Sequence, residues 1–183
     1  MSEARSVPLL VLGLGNVLCG DDGLGAVAVH LLERSYQVPD GVLVLDGGTL
    51  GLSLLPLLEQ AHEAILVDAI RADSPPGSLV RLEGDDVAPA VAARLSVHQV
   101  GVVDLLDAAR WCDCYPSRLI LLGLVPESLE LGVRRTPAVE AALPALVERI
   151  VAEARALGHE LSPRTEDEAA LRGARDLAHV YGV

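Results

Sequence analysis

The segment Gly13-Leu14-Gly15-Asn16-Val17-Leu18-Cys19-Gly20-Asp21-Asp22-Gly23-Leu24-Gly25 constrains this chain more than any other. It follows an apolar run over residues 9–12 that reads as a buried strand. It precedes an amphipathic run over residues 24–32 that reads as a helix. A glycine-rich turn between strand and helix commits the chain to a βα unit. Such a turn ordinarily cradles phosphate on its backbone N–H groups. Here Asp21 and Asp22 stand where the phosphate would sit. Carboxylates repel an anion at close range, so the turn reads as built for a cation.

The same alternation continues along the chain. Strand-like runs cover residues 9–14, 42–45, 64–67 and 119–125, and helical runs cover 24–34, 50–60, 99–111 and 137–157. Pro56 is a disturbance within the second helical run, while Pro137 and Gly158 fit the start and stop of the last. Residues 79–82 form a short alternating run that suits an edge strand. The expected fold class is α/β, a single-domain three-layer sandwich. A mostly parallel twisted sheet carries one antiparallel edge strand and has helices on both faces. The domain is expected over residues 1–160, followed by a tail over 161–183 in which apolar residues recur at helical spacing. A short C-terminal helix and a frayed terminus are both open there.

In such sheets ligands bind beyond the carboxyl ends of the strands. That rule gathers Asp22, Asp46, Asp68 and Glu127 along one rim, because each follows a strand-like run. Ser96-Val97-His98-Gln99 precedes a helix and can reach the same rim. A dinucleotide site fits poorly. Gly13 and Gly15 match the first two glycines of G-x-G-x-x-G, but Leu18 replaces the third. Asp46 follows about thirty residues on, rather than the usual ~20.

Each candidate also has a plain structural reading. Asp21 or Asp22 can cap the helix, although one cap does not need two aspartates. Asp68 can be a buried acid satisfied by backbone N–H groups. Asp46 can be a turn residue, since Asp-Gly is a common turn pair. His98 can be a hydrogen-bonded structural histidine. His30, His62, His159 and His179 lie in helical, helix-end or tail segments without a strand-end carboxylate in view. Two such carboxylates with one imidazole form an oxygen-rich set of borderline hardness. Such a set accepts a divalent transition metal and leaves positions open for other ligands. No G-x-S-x-G elbow occurs, so Ser96 and Ser128 are weak nucleophile candidates. Cys19 lies beside two carboxylates that disfavour a thiolate, so it reads as a packing residue.

Composition narrows the classes further. Half the 183 residues are hydrophobic and only 2% are aromatic, with no Phe, so the core must be aliphatic. A net charge of −12 argues against nucleic acid and against anionic membrane surfaces. No apolar run reaches the roughly 20 residues of a membrane span. Three cysteines, two of them at Cys112 and Cys114, make neither a disulfide framework nor a zinc site. A reducing, cytoplasmic location is the expectation.

The motifs now stand in order. They are Gly13-x-Gly15-Asn16 with Asp21-Asp22-Gly23-x-Gly25, then Asp46-Gly47-Gly48-Thr49, Asp68-Ala69, Ser96-x-His98-Gln99 and Gly123-x-x-Pro126-Glu127-Ser128. In order and spacing this set resembles the hydrogenase maturation endopeptidases, over about residues 9–163. These proteases remove a C-terminal extension from the large subunit of nickel–iron hydrogenases. The resemblance implies a twisted α/β sheet and three nickel-recognising positions, which fall on Asp22, Asp68 and His98. The first is often Glu in the family, so Asp22 is one methylene shorter. It also implies that nickel arrives in the substrate precursor and that the enzyme stores no metal or other cofactor. Asp46 would orient His98 or the substrate from behind.

The expected function is therefore an endopeptidase acting on a nickel-loaded large-subunit precursor. Asp22, Asp68 and His98 are its catalytic and metal-contacting residues. A non-catalytic nickel-binding or delivery module is the alternative, and a nucleotide-binding domain is a third class. The modest size and lack of an evident apolar patch point to a monomer.

Overall fold

Alternating apolar residues send successive strand side chains to opposite faces of a sheet, and each face then needs a helical cover. The computed structural model describes residues 6–92, 100–165 and 168, and it has this layout. In chain order the elements are β1 (Val7–Leu14), a 3-10 turn (Gly20–Gly23), α1 (Leu24–Ser35), β2 (Tyr36–Gln37) and β3 (Val42–Gly48). A second 3-10 turn (Gly51–Leu54) leads to α2 (Leu55–Gln60), β4 (Ala61–Ala69) and β5 (Leu79–Glu83). A third 3-10 turn (Gly84–Asp86) is followed by α3 (Val87–Ala92), α4 (Val100–Trp111), β6 (Arg118–Leu124), α5 (Pro137–Ala156) and β7 (Ser162–Pro163).

The main sheet has the order β3-β1-β4-β6-β5. Its first four strands are parallel, and β5 runs antiparallel to β6 at the edge. Leu9 and Val11 of β1 point to one face with Ile65, Val67, Ile120 and Leu122, under α1 and α5. Leu10, Leu12 and Leu14 point to the other with Ala64, Leu66, Leu119 and Leu121, under α2, α3 and α4. Each fully buried leucine contributes about 1.5–3 kcal/mol relative to exposure, and this aliphatic core uses that term without any Phe.

Three local features differ from the pattern read in the sequence. The run over residues 50–60 divides into a 3-10 turn and α2, with Pro56 in the first turn of α2. Proline lacks an N–H that a first turn does not use, so Pro56 starts the helix rather than disturbing it. The helix α3 was not legible, because Val87–Ala92 is six residues long and contains Pro89. A small antiparallel pair joins β2 to β7, with Tyr36 opposite Pro163 and Gln37 opposite Ser162. Thus Leu161 is buried in the core, and Arg164 donates from Nε to the Glu33 and Tyr36 carbonyls. The helix expected further along the tail falls on residues outside those described. No helix among the described residues is long and apolar enough to cross a membrane.

The chain builds β1 and β3 on one side, then returns to place β4 on the other side of β1. That reversal opens a crevice beyond the carboxyl ends of β1 and β4. Gly13 is level with Asp46 on β3 and Val67 on β4, and Asp68 is level with Gly123 on β6. The glycine loop and the strand-end carboxylates therefore emerge at one height.

Candidate active site

The loop after β1 closes on itself. Gly15 has φ +112°, and its N–H donates to the Gly48 carbonyl at 3.0 Å. Asn16 N–H donates to Asp22 Oδ2 at 2.8 Å, while Asp22 N–H donates to the Cys19 carbonyl at 3.1 Å. Asp22 is only 4% exposed. A Cβ on Gly15 would collide with the Asp22 carbonyl oxygen and would lie 3.6 Å from Asp68 Oδ1. A Cβ on Gly25 would collide with the Leu14 and Val67 carbonyls. These glycines serve close backbone approach, bringing the start of α1 down between β1 and β4.

Asp68 ends β4 and is 2% exposed. Its Oδ1 accepts the Ala69 N–H at 2.7 Å. Gly15 thus has the Asp22 backbone and the Asp68 carboxylate as near neighbours. The third residue of the set, His98, lies outside the described residues with Ser96 and Gln99. Among the described residues no group of three His, Cys, Asp or Glu side chains gathers as metal ligands.

Asp21 turns the opposite way from Asp22. It is fully buried, and it accepts the N–H groups of Glu127 (2.9 Å), Ser128 (3.1 Å) and Thr136 (2.7 Å). The Thr136 hydroxyl donates a fourth bond at 2.9 Å. Burial by itself would push this carboxyl up, but the four donors together hold it below the ordinary carboxylate range. Neither the 3-10 turn nor α1 has a side-chain cap, so the helix-capping reading of Asp21 and Asp22 does not hold. Backbone bonds reinforce the link. Asp21 N–H donates to Ser128, Gly20 N–H to Gly132 and Gly132 N–H to Leu18. The segment between β6 and α5 is thereby stitched to the glycine loop. Sequence reasoning missed this anchor, and the one available signal was the structureless stretch over residues 125–136.

Asp46 is half-exposed. Its Oδ1 accepts the Gly48 N–H at 2.9 Å, and its Oδ2 lies 3.3 Å from Nε2 of His30 on α1. The turn role is therefore present. His30, set aside in the sequence, does meet a strand-end carboxylate. Its helix crosses the sheet towards β3, which no local pattern reveals. The pair is open to solvent, so it adds little stability.

Two further features ring the site. Val17 and Leu18 are 48% and 55% exposed, and Leu131 and Val133 are 89% and 68% exposed. They sit on segments joined by the bonds between Leu18, Gly20 and Gly132. The sequence offered no evident apolar patch, yet folding assembles one from two distant segments. Beside it runs a groove of about 390 Å³ with Arg71, Ser74, Pro126 and Glu127 in its walls. A serine–histidine contact does occur, Ser117 Oγ to His62 Nδ1 at 3.0 Å, but it lies where β4 and β6 begin. That is the opposite end of the sheet, and the Ser117 hydroxyl also bonds the His62 carbonyl, as in a structural turn.

Known proteins share this fold and much of this sequence. The family model HycI, described as hydrogenase maturation protease, matches residues 27–153. The hydrogenase 2 maturation protease of Escherichia coli K12 is 39% identical over 157 residues, covering 85% of this chain and 96% of that protein. The hydrogenase expression/formation protein HupD of Rhodobacter capsulatus is 40% identical over 156 residues, covering 84% of this chain and 74% of that protein. The structure of the hydrogenase maturating endopeptidase HybD from E. coli superposes with a TM-score of 0.82 at 38% identity. It covers 86% of this chain and 98% of that one. With the expected sheet in place and relatives of this identity over most of its length, this chain belongs to the hydrogenase maturation protease family, whose members are peptide-bond hydrolases.

Proposed function

We propose that this protein is an endopeptidase that removes the C-terminal extension of a nickel–iron hydrogenase large-subunit precursor after nickel insertion. The observation that supports the reading is the placement of two buried aspartates at the crevice between β1 and β4, where Gly15 has the Asp22 backbone and the Asp68 carboxylate as near neighbours. Buried negative charge is costly unless a cation or hydrogen bonds offset it. In this reading the cation is nickel already held by the precursor's thiolates. Asp22 and Asp68 supply oxygen donors and His98 supplies an imidazole, a mixture suited to a borderline divalent metal. The enzyme needs no stored metal, because the metal is part of the substrate.

Docking on nickel places the scissile bond against the rim, so an unloaded precursor is passed over. Water then adds across the amide. Its oxygen joins the acyl carbon, the C–N bond breaks, and a proton goes to the departing amine. The products are a new carboxylate and the released extension. Exposed Val17, Leu18, Leu131 and Val133 face the body of the precursor, and the protease itself acts as a monomer. Cys19, Cys112 and Cys114 are free thiols, which suits a reducing cytoplasm.

The test mixes the protein with nickel-loaded and nickel-free precursor and follows C-terminal mass loss. Cleavage of the loaded form alone is expected, and His98→Ala should abolish it while the circular dichroism spectrum is unchanged. Retained cleavage by that variant would sink the assignment of His98. Stable binding of loaded precursor by the wild-type protein with no mass loss would instead make it a nickel-binding or delivery module.

A further inference from the structure

We propose that the groove between residues 71–76 and 125–129 binds the precursor's C-terminal extension as an extended peptide. This rests on the protease reading above and names the part of the substrate that the aspartates do not contact.

The groove is built from the chain just past the site. Its walls continue β4 beyond Ala69 and β6 beyond Leu124. Ile70 N–H donates to the Leu124 carbonyl at 2.9 Å, which keeps the two exits together. Gly77 N–H donates to the Val125 carbonyl at 2.8 Å, and Val125 N–H to the Ser78 carbonyl at 2.9 Å. The segment after Arg71 is thus folded back against the second wall. Arg71 follows Asp68 by three residues, a span of at most about 10 Å of extended chain. A peptide leaving a metal held at Asp68 reaches Arg71 within a similar number of its own residues.

The lining chemistry selects a peptide. Arg71 and Glu127 place opposite charges in the groove, and neither has an ion pair among the described residues. Pro76, Pro126 and Leu129 supply apolar wall, and Ser74 supplies a hydroxyl. Opposite charges in one trough suit neither a simple anion nor a hydrocarbon. They suit a segment with an acidic group for Arg71 and amide or basic donors for Glu127. Pro76 and Pro126 have no N–H to offer, so recognition runs through side chains rather than strand addition. A volume of about 390 Å³ holds only a short stretch of chain. The second wall is also fixed. The Glu127 and Ser128 N–H groups are both held by Asp21, the residue beside Asp22. One loop therefore carries both the metal-facing carboxylate and the brace of the groove.

Arg71→Glu and Ser74→Trp test this. Both positions are exposed, so both variants should fold. Each is compared with the wild-type protein on two nickel-loaded substrates, the full-length precursor and the same subunit truncated at the cut. On the full-length precursor KM should rise by about tenfold or more, with kcat within about twofold. Affinity for the truncated form should not change. An unchanged KM, or an equal loss of affinity for both forms, would overturn the proposal. If the wild-type protein fails to cleave, the protease reading falls, but the groove is still judged by binding. It stands if the wild-type protein holds the full-length form more tightly than the truncated one and Arg71→Glu removes that difference. It falls if the two forms bind alike.

Discussion

Asp21 at the carboxyl end of the sheet and Glu153 on α5 are both buried acids, yet their partners differ in kind. Glu153 accepts from Arg81 at 2.6 and 3.2 Å and pairs with Arg149 at 2.6 Å. Arg81 in turn bonds Glu83, which also pairs with Arg118. Charge there is cancelled within the fold. Asp21 instead receives three backbone N–H groups and one hydroxyl, all neutral. Dipoles stabilise a carboxylate without cancelling its charge. Asp22 and Asp68 accept the N–H groups of Asn16 and Ala69 among their contacts. The ion-pair cluster holds β5 against α5, whereas Asp21 ties the segment between β6 and α5 to the glycine loop through neutral donors.

If that contrast is right, removing charge has different consequences at the two places. Asp68→Asn keeps size and removes charge. Cleavage of loaded precursor should fall by about a thousandfold or more, with thermal unfolding little changed. A variant that still cleaves at near the normal rate would end the functional reading of the rim. Asp21→Ala orphans four donors and should cost about 3 kcal/mol in urea unfolding. Amide exchange at Glu127, Ser128 and Thr136 should quicken, and unchanged exchange there would remove the anchoring role. Glu153→Gln should cost about 2 kcal/mol and leave cleavage kinetics alone. A loss of kcat would mean that the two regions are coupled.

The smallest effect is in acid. Burial alone would raise both carboxyls. Four neutral donors at Asp21, and Arg81 with Arg149 at Glu153, hold them below their unfolded values of about 3.9 and 4.3. A depressed folded pKa means that the unfolded state binds protons first as pH falls. The stability is complete above the unfolded values and is lost as pH falls through the folded ones. Unfolding free energy measured from pH 6 down to pH 2 should decline over the acid end. Glu153→Gln should flatten that decline, and an unaltered curve would contradict the assignment.

Much of the architecture was legible beforehand. The expected strands over residues 9–14, 42–45, 64–67 and 119–125 are the cores of β1, β3, β4 and β6, and the edge strand is β5. Strand ends follow from local runs, so the heights of Asp46 and Asp68 and the position of the glycine loop could be read early. Short or proline-bearing elements could not, as α3 and the β2–β7 pair demonstrate. The rule that ligands sit beyond strand ends put Asp22 and Asp68 on one rim with Asp46 and Glu127, and the family resemblance singled out the first two. That rule does not say which way a side chain turns, and so it could not separate Asp21 from Asp22.

The amino-acid sequence by itself determined the layers, the strand ends and the identity of the acids placed there. Periodicity and turn chemistry act over a few residues and need no distant partner. Only the tertiary structure decided what those acids touch. Asp21 meets Glu127, Ser128 and Thr136 at separations of 106, 107 and 115 residues. Asp46 meets His30 because α1 crosses towards β3. The apolar rim exists because Gly132 bonds Leu18 and Gly20. Contacts between distant segments depend on where the packed sheet and helices carry each loop, and no local pattern encodes that.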